Sequence, residues 1–499
     1  MRPRQIILIM TDTQRKDMVG CYGNKKMHTP ALDHLAEEGI RFERAYTCSP
    51  VCGPARAGIF TGVFPHSCGV WANLLPLGDN VKTLGQRLRD NGILTAYIGK
   101  WHLDGSDYFG LGRCPDGWHP EYWYDMRNYL EELSESDRIR SRQTSTNKDP
   151  NLSADFLYAH RCTECAINFL ERHSGENFFL VVSYDEPHGP FLCPRPYSEM
   201  FINYKFPRKR NVLDTLENKP EHQKVWAGKH RFVDRNSVEI IRPDFFGCNS
   251  YVDSEIGRVL EAIDRYAPDS LIIYTSDHGD MLQSHCLEGK GAAMYEEITN
   301  VPFIVRWRGH APAGTICTHL VSHIDIAPTV MEVMGLNIPK LFEGKSLLPT
   351  IKNPEIATNN EIFIEFGRYE IDHDGFGGFQ PIRCCVDNRY KLVINLLTTD
   401  ELYDLQEDPE EMNNLIESEA HKNIRNRLHD VLLEWMNRTR DPFRGYYWEC
   451  RPWRTDARQP TWEYTGYTRQ RENEEYEPRQ LDYDTGLEMK EAVRKKKLY

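Results

Sequence analysis

A few residues in this sequence have the types and spacing for chemistry. SPVCGPARAGIFTG at 49–62 contains Cys-x-Pro-x-Arg as Cys52, Pro54 and Arg56. GKWH at 99–102 offers Lys100 and His102, and SDHGD at 276–280 offers Asp277 and His278. Lys290 follows a short loop later; Asp12 ends an early apolar run, and Asp185 and His188 end another. Each has an ordinary reading by itself: a buried thiol at a turn before a helix, a solvated lysine, a histidine satisfying a local hydrogen bond. Together, carboxylates with a histidine suit a divalent cation, and lysines with an arginine suit an oxyanion.

The elements that must position them read as an α/β sheet. QIILIMT (5–11) is a short, bulky, branched run of the kind buried on both faces of a parallel sheet. The segments 93–99, FFLVVSY (178–184), LIIYT (271–275) and PFIVR (302–306) read as further strands. Between them, Thr29 as cap, Pro30 at the first helical position and Gly39 as terminator predict a helix. Val81, Leu84 and Leu88 predict another over 81–91, and Val252, Ile256, Val259, Leu260 and Ile263 share one face of a third. Alternating strands and helices imply a large, mostly parallel sheet flanked by helices, with ligands outside the carboxyl ends of its strands. Asp12, Lys100, His102, Asp185, His188, Asp277 and His278 all fall at such ends.

With these motifs in this order, residues 5 to about 440 resemble the type I sulfatases of the alkaline-phosphatase superfamily, whose signature is Cys-x-Pro-x-Arg. The resemblance implies an alkaline-phosphatase-like fold and oxidation of Cys52 to formylglycine by a formylglycine-generating maturation enzyme. It implies Asp12, Asp277, His278 and the modified Cys52 as metal ligands, and Arg56 holding the formylglycine hydrate. Lys100 and Lys290 would bind sulfate oxygens, while His102 and His188 would handle protons on the nucleophile and leaving-group sides. Asp12-Thr13 and Asp277-His278 depart from the Asp-Asp and Asp-Asn pairs of many sulfatases. There the chain is similar to formylglycine phosphonate monoester hydrolases, which also cleave phosphate diesters. Ca2+ is the usual sulfatase cation; exchanging a carboxylate for an imidazole moves preference towards Mn2+ or Zn2+. A reading of another class is a metal- or oxyanion-binding protein in which Cys52 stays a thiol.

For substrate, RYEIDHDGFGGFQPIR (368–383), with Arg368 and His373, joins Trp71, Asn73 and Asp104 as a candidate lining for a sulfated mono- or oligosaccharide. A hydrogen-bonded connector is the competing reading, and GFGGF within it lacks the lysine of a phosphate loop. The catalytic domain is expected over 1–355. A smaller α+β subdomain with a short antiparallel sheet and a helix near 420–437 is expected over 356–445. The aromatic-rich 446–499 is expected to pack on the body or a neighbouring subunit. Residues 131–149 read as a polar surface excursion.

Composition bounds the rest. The 499 residues carry 61 Lys+Arg against 74 Asp+Glu, a net charge of −13, which argues against nucleic acid or an anionic membrane as partner. No apolar run is long enough to span a membrane. The fourteen cysteines would suit a disulfide framework only in an oxidising compartment. Ile6–Met10 is shorter than a signal core, so the expectation is a cytoplasmic chain with reduced thiols. Cys162 and Cys165 lack a second pair for zinc, and adjacent Cys384 and Cys385 should face opposite sides of a strand.

Overall fold

The computed structural model describes residues 4–105, 108–370 and 378–454, with 487 and 491. Eight strands form the main sheet: β1 (Gln5–Thr11), β2 (Ile40–Tyr46), β3 (Leu94–Gly99), β4 (Trp123–Tyr124), β5 (Phe178–Ser183), β6 (Leu271–Ser276), β7 (Phe303–Arg306) and β8 (Thr315–Ser322). Their order is β4-β3-β5-β1-β6-β7-β2-β8, parallel throughout except that β7 runs against both β6 and β2. Central β1 is buried along its whole length between β5 and β6. Its alternating side chains feed two cores. Ile7 and Ile9 pack with α1 (Pro30–Glu37), α4 (Tyr158–Arg172) and α5 (Pro243–Tyr266). Ile6, Leu8 and Met10 pack with α2 (Cys52–Thr61) and α3 (Leu84–Asp90). Truncating one such isoleucine to alanine costs about 2–5 kcal/mol, so the strand is fixed in register by both faces at once.

Three local expectations are corrected. Thr29 does not cap α1. Its hydroxyl accepts from Gly20 N and donates to Asp33, and the open amides of Ala31 and Leu32 are taken at 3.0 Å by Asp253 of α5. The second helix starts at Leu84 rather than 81, because Thr83 and Gln86 form a capping box. Residues 131–149 are also more than a surface excursion: Asn147 is buried and bonds Cys193 N, and Arg142 reaches Asp185.

The second sheet is antiparallel, in the order β12 (Glu401–Asp404), β11 (Tyr390–Asn395), β10 (Ile382–Val386), β9 (Ile362–Phe366). Cys385, Leu392 and Ile394 face α6 (Lys422–Arg438) through Leu428, Leu432 and Trp435. Cys384, Ile364 and Val393 face Tyr46, Val51 and Met294 of the main body. The two adjacent cysteines therefore do point to opposite faces. Within 446–454, Trp448 is buried against α6, and Asp400 binds both Arg451 and Trp453; apart from 487 and 491, the remaining extension lies outside the described residues. All fourteen cysteines are free. Among the described residues no helix is long and apolar enough to cross a membrane.

Candidate active site

β3, β5, β1 and β6 are consecutive, parallel neighbours. Their carboxyl ends therefore lie side by side, and the polar residues that follow each strand meet. Gly99 lets β3 turn there: its φ is 114°, and a Cβ would sit 1.9 Å from Ser183 O. Lys100 N then bonds that same carbonyl at 2.7 Å.

Cys52 enters from across the site as the first residue of α2, where the helix dipole favours an anion. Asn73 Oδ1 accepts from Gly53 N at 2.9 Å, and Asn73 N donates to Tyr369 O. Asn73 thus anchors the start of the helix that carries Cys52. Cys52 Sγ lies 2.7 Å from Lys290 Nζ and 3.1 Å from His278 Nε2. Burial and the Asp12 carboxylate oppose its ionisation, yet Lys290, Lys100 and His278 outweigh them and bring the thiol down to about 5.

Arg56, one turn along α2, is completely buried. It donates to Asp277 Oδ2 at 3.1 Å, Asp12 Oδ2 at 3.3 Å, Lys100 O at 2.6 Å and Ser183 Oγ at 2.8 Å. Arg56 thus takes Oδ2 of each carboxylate, while Thr13 donates to Asp12 Oδ1 at 2.6 Å and Thr13 N and His278 N donate to Asp277 Oδ1 at 3.2 and 2.9 Å. Asp12, Cys52, Asp277 and His278 bring ligand atoms within 4.8 Å of one another, all buried. Burial and neighbouring Asp12 push the Asp277 carboxyl up to about 6, a penalty that a cation between the two carboxylates relieves. Two carboxylate oxygens and an imidazole nitrogen beside position 52 fit a hard or borderline divalent metal.

The cations are concentrated here too. Lys100 Nζ is 2.8 Å from Asp12 and 3.0 Å from Asp185. Burial, then Lys100 and Arg56, lower His102 to about 3; burial, then Lys100 and Lys290, lower His188 to about 4. A bound anion among those lysines would reverse the repulsion and favour the protonated imidazoles.

Lys290 is delivered by a strained loop. Leu282, Gln283, His285 and Cys286 all have φ between 43° and 72°, a region costly for residues with a Cβ. The loop holds because His285 bonds Asp214 at 2.7 Å and stacks on Tyr295 at 3.7 Å, while Arg235 binds Gln283.

Other expected residues lie further out. Trp71 meets Phe379 edge-on at 6.0 Å, and Arg368 is half-buried after β9. Asp104 Oδ2 accepts from Leu111 N, so it serves its own loop. His373 lies outside the described residues. Tyr108 and Arg142, which no strand-end pattern singled out, reach the site: Tyr108 touches Asp185 and His188, and Arg142 lies 3.8 Å from Asp185. A cavity of about 680 Å3 opens elsewhere, between α6 and the main body around Phe64, Phe363 and Trp435, remote from these groups.

The sulfatase family model matches residues 4–336, and that for the C-terminal part of N-sulphoglucosamine sulphohydrolase matches 290–438. An uncharacterized sulfatase, YidJ of Escherichia coli K12, is 45% identical over 98% of this chain and 97% of its own. An N-acetylglucosamine-6-O-sulfatase of Bacteroides thetaiotaomicron is 25% identical, covering 87% of each chain. In fold, BT4656 in complex with its substrate D-glucosamine-2-N,6-O-disulfate superposes with a TM-score of 0.71 at 22% identity, over 89% of this chain and 99% of that one. A phosphonate monoester hydrolase of Agrobacterium radiobacter gives 0.71 at 24% identity, over 88% and 96%. The chain belongs to the sulfatase family of the alkaline-phosphatase superfamily and is a sulfuric ester hydrolase.

Proposed function

We propose that the enzyme hydrolyses sulfate monoesters of a small carbohydrate through formylglycine made from Cys52. One observation carries this reading: the Cys52 sulfur stands at a helix N-terminus, 2.7 Å from Lys290 and inside the donor cluster. A thiol attacking sulfur would leave a sulfated cysteine needing a second displacement. Oxidised to the aldehyde and hydrated, position 52 supplies one hydroxyl to attack sulfur and another whose deprotonation expels sulfate. A divalent cation held by Asp12, Asp277, His278 and position 52 would supply Lewis acidity for that attack.

The remaining roles belong to this chain's own side chains. Lys100 and Lys290 receive the sulfate oxygens and the charge that grows on them. Arg56 keeps the two carboxylates in register. His102, buried with its Nδ1 unpartnered and in the field of Lys100 and Arg56, serves the nucleophile side, the role the family resemblance gives it. His188, on the loop after β5, serves the leaving alcohol. A sulfated sugar is supported by the named activities of the relatives and by Trp71, Phe379 and Arg368 beyond Asn73, which would meet a pyranose. The second reading, phosphonate monoester or phosphate diester hydrolysis at the same residues, is favoured by His278 among the donors and by Thr13 standing where many sulfatases have a second Asp.

The test is a panel of sulfated monosaccharides assayed beside an aryl phosphate diester, using protein whose residue 52 has been identified by peptide mass. Turnover of a sulfated sugar with formylglycine at 52 is expected. A large preference for the diester would replace the first reading with the second, and an unmodified thiol in fully active protein would remove formylglycine from the mechanism.

A further inference from the structure

We propose that Asp185, Tyr108 and His188 form a hydrogen-bonded relay that orients His188 as the acid for the leaving group. The inference rests on the ester-hydrolase reading above and adds a positioning residue, Tyr108, to it.

Tyr108 Oη lies 2.6 Å from Asp185 Oδ1, 3.1 Å from His188 Nδ1 and 3.4 Å from Lys100 Nζ. The direction of each bond follows from the proton inventory. Asp185 is paired with Lys100 at 3.0 Å and Arg142 at 3.8 Å, so it is a carboxylate and accepts only. The single tyrosine proton goes to it. His188 Nδ1 is also 3.0 Å from the Gly189 carbonyl oxygen, which accepts only. Nδ1 therefore carries hydrogen, shared between that carbonyl and the tyrosine oxygen. The chain reads His188 Nδ1–H to Tyr108 O–H to Asp185, and the tautomer leaves Nε2 as the nitrogen that exchanges a proton with substrate.

The tyrosine is itself held. Lys100 Nζ sits 4.4 Å from the centre of its ring and Arg142 5.6 Å, so two cations rest against the aromatic face. The ring centre is 5.5 Å from those of both His102 and His188, so Tyr108 packs against both histidines. In the transfer, the hydroxyl oxygen at position 52 bonds to sulfur as the S–O bond to the alcohol breaks; the electron pair stays on the ester oxygen, which takes the proton from Nε2 of doubly protonated His188. The imidazole returns to neutral with Nδ1–H still in the relay. While His188 is protonated, the Asp185 carboxylate stabilises the imidazolium through the Tyr108 hydroxyl, the part a carboxylate plays directly in a Ser-His-Asp triad.

The discriminating experiment is Tyr108→Phe, which keeps the ring and removes the hydroxyl, assayed on 4-nitrophenyl, 4-chlorophenyl and phenyl sulfate. A good leaving group needs little acid help and a poor one needs much. The relay predicts a loss of under threefold in kcat on the nitrophenyl ester, growing to tenfold or more on phenyl sulfate, with KM within twofold. A second arm places Tyr108→Phe in a His188→Ala background, where it should have no further effect. An equal loss on all three esters, or full additivity with His188→Ala, would overturn the relay. If wild type instead prefers diesters, the sulfatase reading fails separately, and the same leaving-group series is run on aryl phosphate diesters.

Discussion

Lys290 Nζ and Cys52 Sγ are 238 positions apart in sequence and 2.7 Å apart in the fold. The pair joins the start of α2 to the end of the strained loop after β6, so nucleophile position and cation are set by different elements. Cys52→Ala should abolish turnover while leaving the far-ultraviolet spectrum and melting midpoint near wild type. Lys290→Met keeps the side-chain length and removes the charge. Loss of one preorganised charge at the transferring group predicts a fall of about 10²–10³ in kcat. Retention of activity within tenfold in either variant would place the chemistry elsewhere.

Metal content gives an independent check. Asp12, Asp277 and His278 are buried and converge, while Arg56 neutralises only the outer oxygens. Purified protein should hold one divalent ion per chain, and dialysis against a chelator should remove both the ion and the activity and lower the melting midpoint, because the ion binds the folded state alone. Asp277→Asn should lose the ion at micromolar free metal. An inert chelator treatment, with full activity and no metal in elemental analysis, would dismiss the cation.

The helix-cap correction yields a prediction about stability rather than catalysis. Asp253 of α5 accepts from Ala31 N and Leu32 N at 3.0 Å each. Asp253→Leu removes both acceptors and leaves the buried Leu32 amide open, at about 1–3 kcal/mol, and the half-buried Ala31 amide at less. The midpoint should fall by several degrees, and Asp253→Asn, which keeps one acceptor oxygen, should fall less. Identical losses in the two variants would argue for packing rather than capping.

The same pair shows what a sequence can and cannot reveal. β1, β3, β5 and β6 were legible because strands buried on both faces are almost wholly apolar, and the strand-end rule then placed Asp12, Lys100, His188 and Asp277 at one site. β2 (IRFERAY) and β8 (TICTHLVS) were not, because each carries polar residues between its apolar ones and imitates a surface segment. Asp253 as a cap depends on two helices separated by more than two hundred positions. Tyr108 and Arg142 lie in polar loops with no periodicity, and only the folded chain brings them to Asp185. No local signal could have found them.

A last prediction concerns pH and a second buried cluster. His66, Glu365 and Asp441 also converge, but Arg383 already occupies the centre, bonded to Asp441 at 2.5 Å and 3.8 Å from Glu365. Two carboxylates meet one guanidinium and one imidazole, so the charges balance without a metal. Burial draws the His66 pKa down, but the bonded Glu365 carboxylate outweighs it and holds the imidazole above 6.5. Burial raises Asp441, and Arg383 outweighs that and holds it below its ordinary value. A raised histidine contributes stability that is complete below pH 6.5 and is lost as pH climbs through the folded value. A lowered carboxylate contributes stability that is present above its unfolded pKa and is lost as pH falls through the folded one. His66→Gln should therefore flatten the alkaline limb of the melting-midpoint profile and leave the acid limb unchanged. Asp441→Asn should flatten the acid limb and leave the alkaline limb unchanged. A His66→Gln profile that runs parallel to wild type from pH 6 to 9 would show that the imidazole is neutral in the fold and that its contact with Glu365 carries no charge.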